Sequence, residues 1–351
     1  MVVFAGSMMA TMATVSAEPR GATLPRSVAA PVRPARSLPV GAPVVPGSLA
    51  LDLTGVACPS SADCEAVGDY EDSSGQHVPL AEQWNGSSWA MQTIPPPKSA
   101  TDLGTYLSGV GCSSPTSCEA IGYYYNTSGN FVTLGERWNG TSWAIQTTPN
   151  AKSTHEDYLT GVACPSATSC EAVGYYYNTA HNPVTLGERW NGTSWAIQTT
   201  PNGKGSSGSY LEGVSCSSSA DCSAVGDDYN GANAYSTLAE QWNGTTWARK
   251  TIPSPKSASG TSTYLSGVGC APSAQCEAVG AYANKSNTNV TLGERWNGSS
   301  WAMQTTPNAK IATDGTYLAA AGCPSSTDCE SVGYYYTSSS HGSTLGERWN
   351  G

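Results

Sequence analysis

The chain has 351 residues, of which 12% are charged, with 38 Gly and 22 Pro, a composition that leaves little room for long helices and points to an all-β protein. Its 18 Tyr and 11 Trp against 2 Phe, within 39% hydrophobic residues, exclude an intrinsically disordered chain. The formal charge is −10, and residues 1–50 hold four Arg and one Glu, so the remainder is strongly acidic; this excludes nucleic acid and anionic membrane as partners, since either needs a basic face.

Residues 2–17 form an apolar run ending in Val15-Ser16-Ala17, which fits a signal-peptide cleavage site and is too short and too rich in Ser, Thr and Gly to span a membrane. No Lys or Arg precedes the run, a departure from the usual signal pattern. The expectation is a signal peptide over residues 1–17, an extracellular protein, and no membrane insertion of the mature chain. Residues 18–36, with Pro19, Pro25, Pro31 and Pro34 among Ala and Arg, cannot form a core and read as a linker.

From about residue 51 one unit is written six times, its first cysteine falling at Cys58, Cys112, Cys164, Cys216, Cys270 and Cys323. A period of 52–54 residues means a repeat architecture. The third copy, from Tyr158 to Pro201, contains four strand-like runs: YLTGVAC, CEAVGYYY, VTLGERW and WAIQTT. Turn formers separate the first two, and Asn191-Gly192 separates the last two. Four antiparallel strands per period predict a six-bladed β-propeller over residues 37–351, its blades starting near residues 51, 106, 158, 210, 264 and 317. Copies one and four share Ala-Glu-Gln-Trp and Thr-Ile-Pro, so a three-blade unit has doubled. The last copy ends at Gly351 without a fourth strand, and the spacing assigns Ser37 to Ala42 as the strand that closes blade six, because an open edge is usually avoided.

The run GERWNGTSWAIQTTP (residues 135–149) resembles the end of a kelch repeat, and CEAVGYY (170–176) resembles the kelch strand that ends in a glycine doublet. The likeness covers all six copies, but the second glycine is replaced, as in Gly68-Asp69, Gly122-Tyr123 and Gly280-Ala281. It therefore implies a kelch-like propeller with a variant repeat. A weaker likeness is to the Asp-box turn of sialidase-type propellers: Gly140-Thr141-Ser142-Trp143 keeps the Gly-x-x-Trp end, but Trp138 and Glu136 occupy the aspartate and serine positions.

All 12 cysteines fall in Cys-x5-Cys pairs, each read as the two ends of one tight hairpin loop: Cys58/Cys64, Cys112/Cys118, Cys164/Cys170, Cys216/Cys222, Cys270/Cys276 and Cys323/Cys329. Six disulfides, each within its own blade, are expected, since zinc sites and redox sites use other spacings. The histidines at 77, 155, 181 and 341 share no register and read as solvated loop residues, so no metal, triad or cofactor is expected. Gly203 to Gly208 spells a dinucleotide fingerprint but leads into a strand, leaving no helix terminus for a phosphate. The third-strand Glu-Arg pairs, as at Glu136-Arg137 and Glu188-Arg189, are the one enzyme-like constellation; adjacent strand residues face opposite sides, so an interblade ion pair or hydrogen bond is favoured over a carboxylate clamp. The Trp pairs flanking each Asn-Gly turn read as hairpin packing, and the Asn-Gly-Ser/Thr triplets, though they spell glycosylation acceptors, follow from turn geometry.

The segments that vary between copies join the second and third strands and are rich in Tyr, Asn and Ser. Candidate ligand contacts are Tyr70, Tyr124, Tyr125, Tyr176, Tyr177, Tyr229, Tyr282, Tyr335 and Tyr336, because a flat ring beside adaptable hydrogen-bonding groups suits sugars or protein surfaces. The sequence thus reads as a secreted or cell-surface, monomeric, non-enzymatic binding or scaffold propeller for a glycan or protein. The alternatives are a sialidase-like glycan-processing enzyme and a purely structural surface repeat protein.

Overall fold

Each copy folds into one small sheet in the computed structural model, which describes residues 50–351 apart from 152–155, 204–205, 232–233, 257, 313–314 and 338–341. The expected signal peptide (1–17), linker (18–36) and closing strand (37–42) lie outside the described residues. Blade two shows the pattern in full: an inner strand Ala100–Ser114, a second Ser117–Asn126, a third Phe131–Trp138 and a short outer strand Trp143–Gln146. Blades one to five have four antiparallel strands in sequence order, and blade six has three: Thr316–Ser325, Asp328–Tyr336 and Gly342–Trp349. Inner strands of successive blades lie side by side from blade one to blade six, giving a six-bladed β-propeller with no helix among the described residues.

The blades stack through apolar seams. Between blades two and three, Ile121 meets Leu159, Ala172, Leu186, Trp190 and Trp195, each buried. The same positions recur as Leu107, Leu159, Leu211, Leu265 and Leu318 on inner strands and Leu80, Leu134, Leu186, Leu238 and Leu292 on third strands, none more than 1% exposed. A fully buried leucine contributes roughly 1.5–3 kcal/mol. Because both faces of a blade meet neighbours, the strands read as near-continuous apolar runs instead of alternating.

One backbone feature explains the glycine after each second-strand apolar run. The inner strand carries a bulge, between Leu107 and Gly109 in blade two, that turns the carbonyl of Tyr106 onto Gly122. A Cβ on Gly122 would lie 2.0 Å from that oxygen, and the equivalent glycines 68, 174, 226, 280 and 333 are crowded the same way. The glycine is set by the bulge, so the residue after it is free to change from copy to copy.

Candidate binding face

Blades one to five are up-and-down meanders of four strands, which puts their two hairpin turns at one end and their middle turn, with the interblade connections, at the other; the three described strands of blade six follow the same order. The hairpin face is built for rigidity. All six expected bridges are formed within their own blades: Cys58–Cys64, Cys112–Cys118, Cys164–Cys170, Cys216–Cys222, Cys270–Cys276 and Cys323–Cys329. No cysteine is free among the described residues.

The two cysteines of each pair stand at the ends of one hairpin loop as expected, and they differ in burial. Cys64, Cys118, Cys170, Cys222, Cys276 and Cys329 lie near the start of second strands and are buried, none more than 9% exposed. Cys118, Cys170, Cys222 and Cys276 pack into the apolar seams beside a Trp pair, and Cys329 packs against Trp349. Of their partners, Cys58 is exposed, Cys112, Cys164, Cys216 and Cys270 are half-buried, and Cys323 is buried. The cause is strand position: the second strand lies in the middle of its sheet, and its first residues already meet the neighbouring blade. Each bridge therefore ties the hairpin to the seam, and the second cysteine is a core residue with no access to a ligand.

In the Asn-Gly turns Asn139 Oδ1 accepts from the Thr141 amide at 2.9 Å, the Thr141 hydroxyl at 2.7 Å and the Ser142 amide at 3.0 Å, while Gly140 takes φ 93°. Asn, Gly and Ser/Thr each have a turn function there. The flanking tryptophans pack across the hairpin neck, Trp138 on Trp143 at 5.7 Å, and in blades two to five they are buried.

The opposite face carries the candidate tyrosines, which sit at the ends of second strands and not within the loops expected for them. Tyr70, Tyr124, Tyr125, Tyr176, Tyr177, Tyr229, Tyr282, Tyr335 and Tyr336 all fall inside second strands and all are half-buried. Alternation along the strand divides their tasks. Tyr124, Tyr176 and Tyr282 turn back against the apolar cluster of the preceding seam, and the Tyr124 hydroxyl lies 3.0 Å from that of Ser99. Tyr125 packs edge-on to Phe131, Tyr229 lies against Tyr235, and Tyr336 against Tyr317 and Tyr334.

Beneath this rim runs a feature the sequence reading missed. His77, Tyr106, Tyr123, Tyr158, Tyr175 and Tyr210 form a ring-to-ring chain across blades one to four, with successive centroids 4.7, 5.1, 4.8, 5.1 and 4.8 Å apart. Burial pushes the Tyr106 phenol up to about 12 and raises Tyr123, Tyr158 and Tyr175 further. The available signal was the Tyr-Leu pair that opens five of the six inner strands. His77 is likewise not a solvated loop residue: it begins a third strand, its Nδ1 lies 2.6 Å from Asp69 Oδ2, and that hydrogen bond raises its pKa. His181 is exposed at φ 56°, and His155 and His341 lie outside the described residues.

Of the expected interblade ion pair or hydrogen bond, the arginines form the hydrogen bond: Arg137 and Arg189 donate to the Ala167 and Ser219 carbonyls of the next blade at 3.2 and 3.3 Å, while their ion pairs stay within the blade. Arg137 and Arg189 bond Glu119 and Glu171 of their own blades, and Arg295 lies 3.4 Å from Glu277. Their guanidiniums then lie over Trp190, Trp242 and Trp349 of the next blade at 5.0–5.1 Å, a cation–π clasp across the seam. In blade four, where Gln241 replaces the arginine, Lys250 lies over Trp296 at 5.8 Å. Among the described residues, the third-strand glutamates make no ion pair. Glu136, Glu188, Glu240 and Glu294 are fully buried, and neither carboxyl oxygen of any of them has a hydrogen-bond partner within range. Burial pushes Glu136, Glu240 and Glu294 up to about 8 and raises Glu188 as well. These arginines therefore hold seams and do not converge on one substrate carboxylate.

No family model and no curated protein matches the chain. Solved structures share the fold. A sialidase, Hz136, of a Hadza microbial source is similar at TM-score 0.53 and 10% identity, covering 84% of this chain and 65% of its own. A protein of unknown function from Dyadobacter fermentans is similar at TM-score 0.51 and 8% identity, covering 83% and 92%. The fucose-recognising lectin of Aleuria aurantia, itself a six-bladed propeller, stands at TM-score 0.48 and 12% identity, covering 82% and 88%. At these identities the likeness concerns the propeller alone.

Proposed function

We propose that the chain is an exported, monomeric, kelch-like propeller that binds glycans through its loop face, without catalysis or a cofactor. One observation carries the reading. Tyrosines lie at or near the ends of the second strands of all six blades, on the loop face, and are half-buried. A ring anchored along one edge offers a flat apolar surface at little entropic cost, and neighbouring amides and hydroxyls satisfy sugar hydroxyls. Six disulfides belong to an oxidising compartment, which supports export.

The test is a glycan and cell-wall polymer array probed with the mature protein and with a variant carrying Tyr124→Ala, Tyr176→Ala and Tyr335→Ala. Because Tyr124 and Tyr176 also line seams, Tyr124→Leu and Tyr176→Leu serve as partners that keep apolar contact while removing the ring. Saccharide binding lost in both sets, with cooperative melting retained, is the expected result. Undiminished binding by the folded variants rejects these tyrosines as contacts.

A further inference from the structure

The connection from blade three into blade four differs from its counterpart one seam earlier. Blade three enters with Asn150, Ala151 and Asp157, whose carboxylate accepts the Ala151 amide at 2.8 Å. Blade four enters with the smaller set Asn202, Gly203 and Ser209. Here the Gly203 amide donates to Ser209 Oγ at 3.1 Å, and Ser209 donates at 2.7 Å to Asp228, which also pairs with Arg249. No Cβ fits at two points of this connection: on Gly203 it would lie 2.5 Å from the Asp228 carboxylate, and on Gly208 2.3 Å from the Pro183 ring. Between the connection and the Asn178–Pro183 turn of blade three lies a cleft of about 220 Å³ on the loop face.

We propose that this cleft is a subsite for a neutral pyranose unit, a placement that rests on the glycan reading above. Among the described residues, every side chain lining it is uncharged. Asp228, beneath it, is already bonded to Arg249 and Ser209. The carbonyl ends of two lining asparagines are engaged: Asn178 Oδ1 accepts the amides of Ala180 and Asn182 at 2.9 and 3.1 Å, and Asn202 Oδ1 accepts the Thr185 amide at 3.0 Å. Each side-chain NH2 is thereby fixed as a donor. Two oriented donors beside the apolar Pro183 and Val184 call for a ligand rich in neutral oxygen acceptors with a C–H face, which is the chemistry of a sugar ring.

The experiment is amide-resolved NMR of the isotope-labelled mature chain titrated with the methyl glycosides of glucose, galactose, mannose and fucose and with N-acetylglucosamine at millimolar concentrations. At least one saccharide is expected to shift amides of Asn178–Val184 and Asn202–Ser209. Asn178→Asp and Asn202→Asp, which keep the pinned oxygen but remove the donor, should each weaken that binding about tenfold without altering the melting temperature, in line with the loss of one buried hydrogen bond. Shifts confined to the surroundings of Tyr124 and Tyr335 overturn the subsite while leaving the glycan reading intact. Unchanged affinity in both aspartate variants also overturns it. Silence with every saccharide, together with an array without saccharide signal, overturns both.

Discussion

The seams inside the propeller and the outward sides of its first and last blades are built from the same repeat, yet the same residues behave differently in the two places. The last seam is intermediate: Leu292 is 1% exposed and Trp296 4% exposed, whereas their blade-six equivalents Leu345 and Trp349, on the side of blade six that faces blade five, are half-buried. Val110 is 7% exposed where Val56, its blade-one equivalent, is 42% exposed. Arg137, with a side chain 24% exposed, reaches over a tryptophan of the next blade; Arg348, 64% exposed, pairs only with Asp328 of its own. A propeller repeat is thus half of a packing unit, and its stabilisation comes from the neighbour it meets.

Substitution exposes the contrast most sharply. Leu186→Ala, inside the seam of blades two and three, should cost about 2–5 kcal/mol, while Leu345→Ala should cost about 1 kcal/mol, both measured by denaturant unfolding. Equal losses would mean that the seam of blades five and six is packed as fully as the one between blades two and three.

Completing blade six as its fourth strand is the task proposed for residues 37–42. Deleting residues 18–43 should lower the melting temperature by several degrees, because it would strip the third strand Gly342–Trp349 of its outer partner, whereas deleting 18–34 should leave it unchanged. Identical melting of the two deletions would remove the closing strand from the account.

The buried glutamates give the seams a pH signature. A carboxyl whose folded pKa lies above its unfolded value keeps a proton in the native state that it sheds on unfolding, so its contribution is complete below about pH 4.5 and fades as pH climbs towards 8. At Glu188 the like charge of Asp157 adds to the rise caused by burial, while the Thr133 hydroxyl works against it. Melting should therefore fall by about 5–10 °C between pH 5 and pH 8.5. Combining Glu136→Gln, Glu188→Gln, Glu240→Gln and Glu294→Gln should flatten that slope; an unchanged slope would assign the pH dependence to other groups.

A smaller effect than that of the seam leucine Leu186 is expected at the clasp. Arg189→Met keeps the aliphatic stem over Trp242 but loses the charge, and should cost about 1–2 kcal/mol, including the penalty for leaving Glu171 buried without its partner. A neutral result would reduce the cation–π contact to simple coverage.

Much of this architecture was legible in the sequence because a six-fold repeat averages away local ambiguity. The Cys-x5-Cys spacing located the disulfides, and Asn-Gly located the outer hairpins. The spacing did not tell Cys112 from Cys118, since only the order of strands in the sheet makes one half-buried and the other core. The side-chain networks were less legible for the same reason: they depend on which face of a strand meets which neighbour. Tyr123 and Tyr124 are adjacent in sequence and alike in type, yet one enters the ring-to-ring chain and the other packs against the preceding seam. Glu136 and Arg137 invited an ion pair, but the arginine found its acid on the second strand and left the third-strand glutamate buried alone. The cleft beside Asn202 was hidden too, because it arises from what Gly203, Gly208 and Ser209 lack.

Recognition by the loop face is tested most directly by hydrogen–deuterium exchange of the mature protein with and without the saccharide or wall polymer selected on the array. Slowed exchange is expected in the segments joining second and third strands and in the interblade connections, with the disulfide hairpins and Asn-Gly turns unchanged. Protection confined to the hairpin face would contradict it.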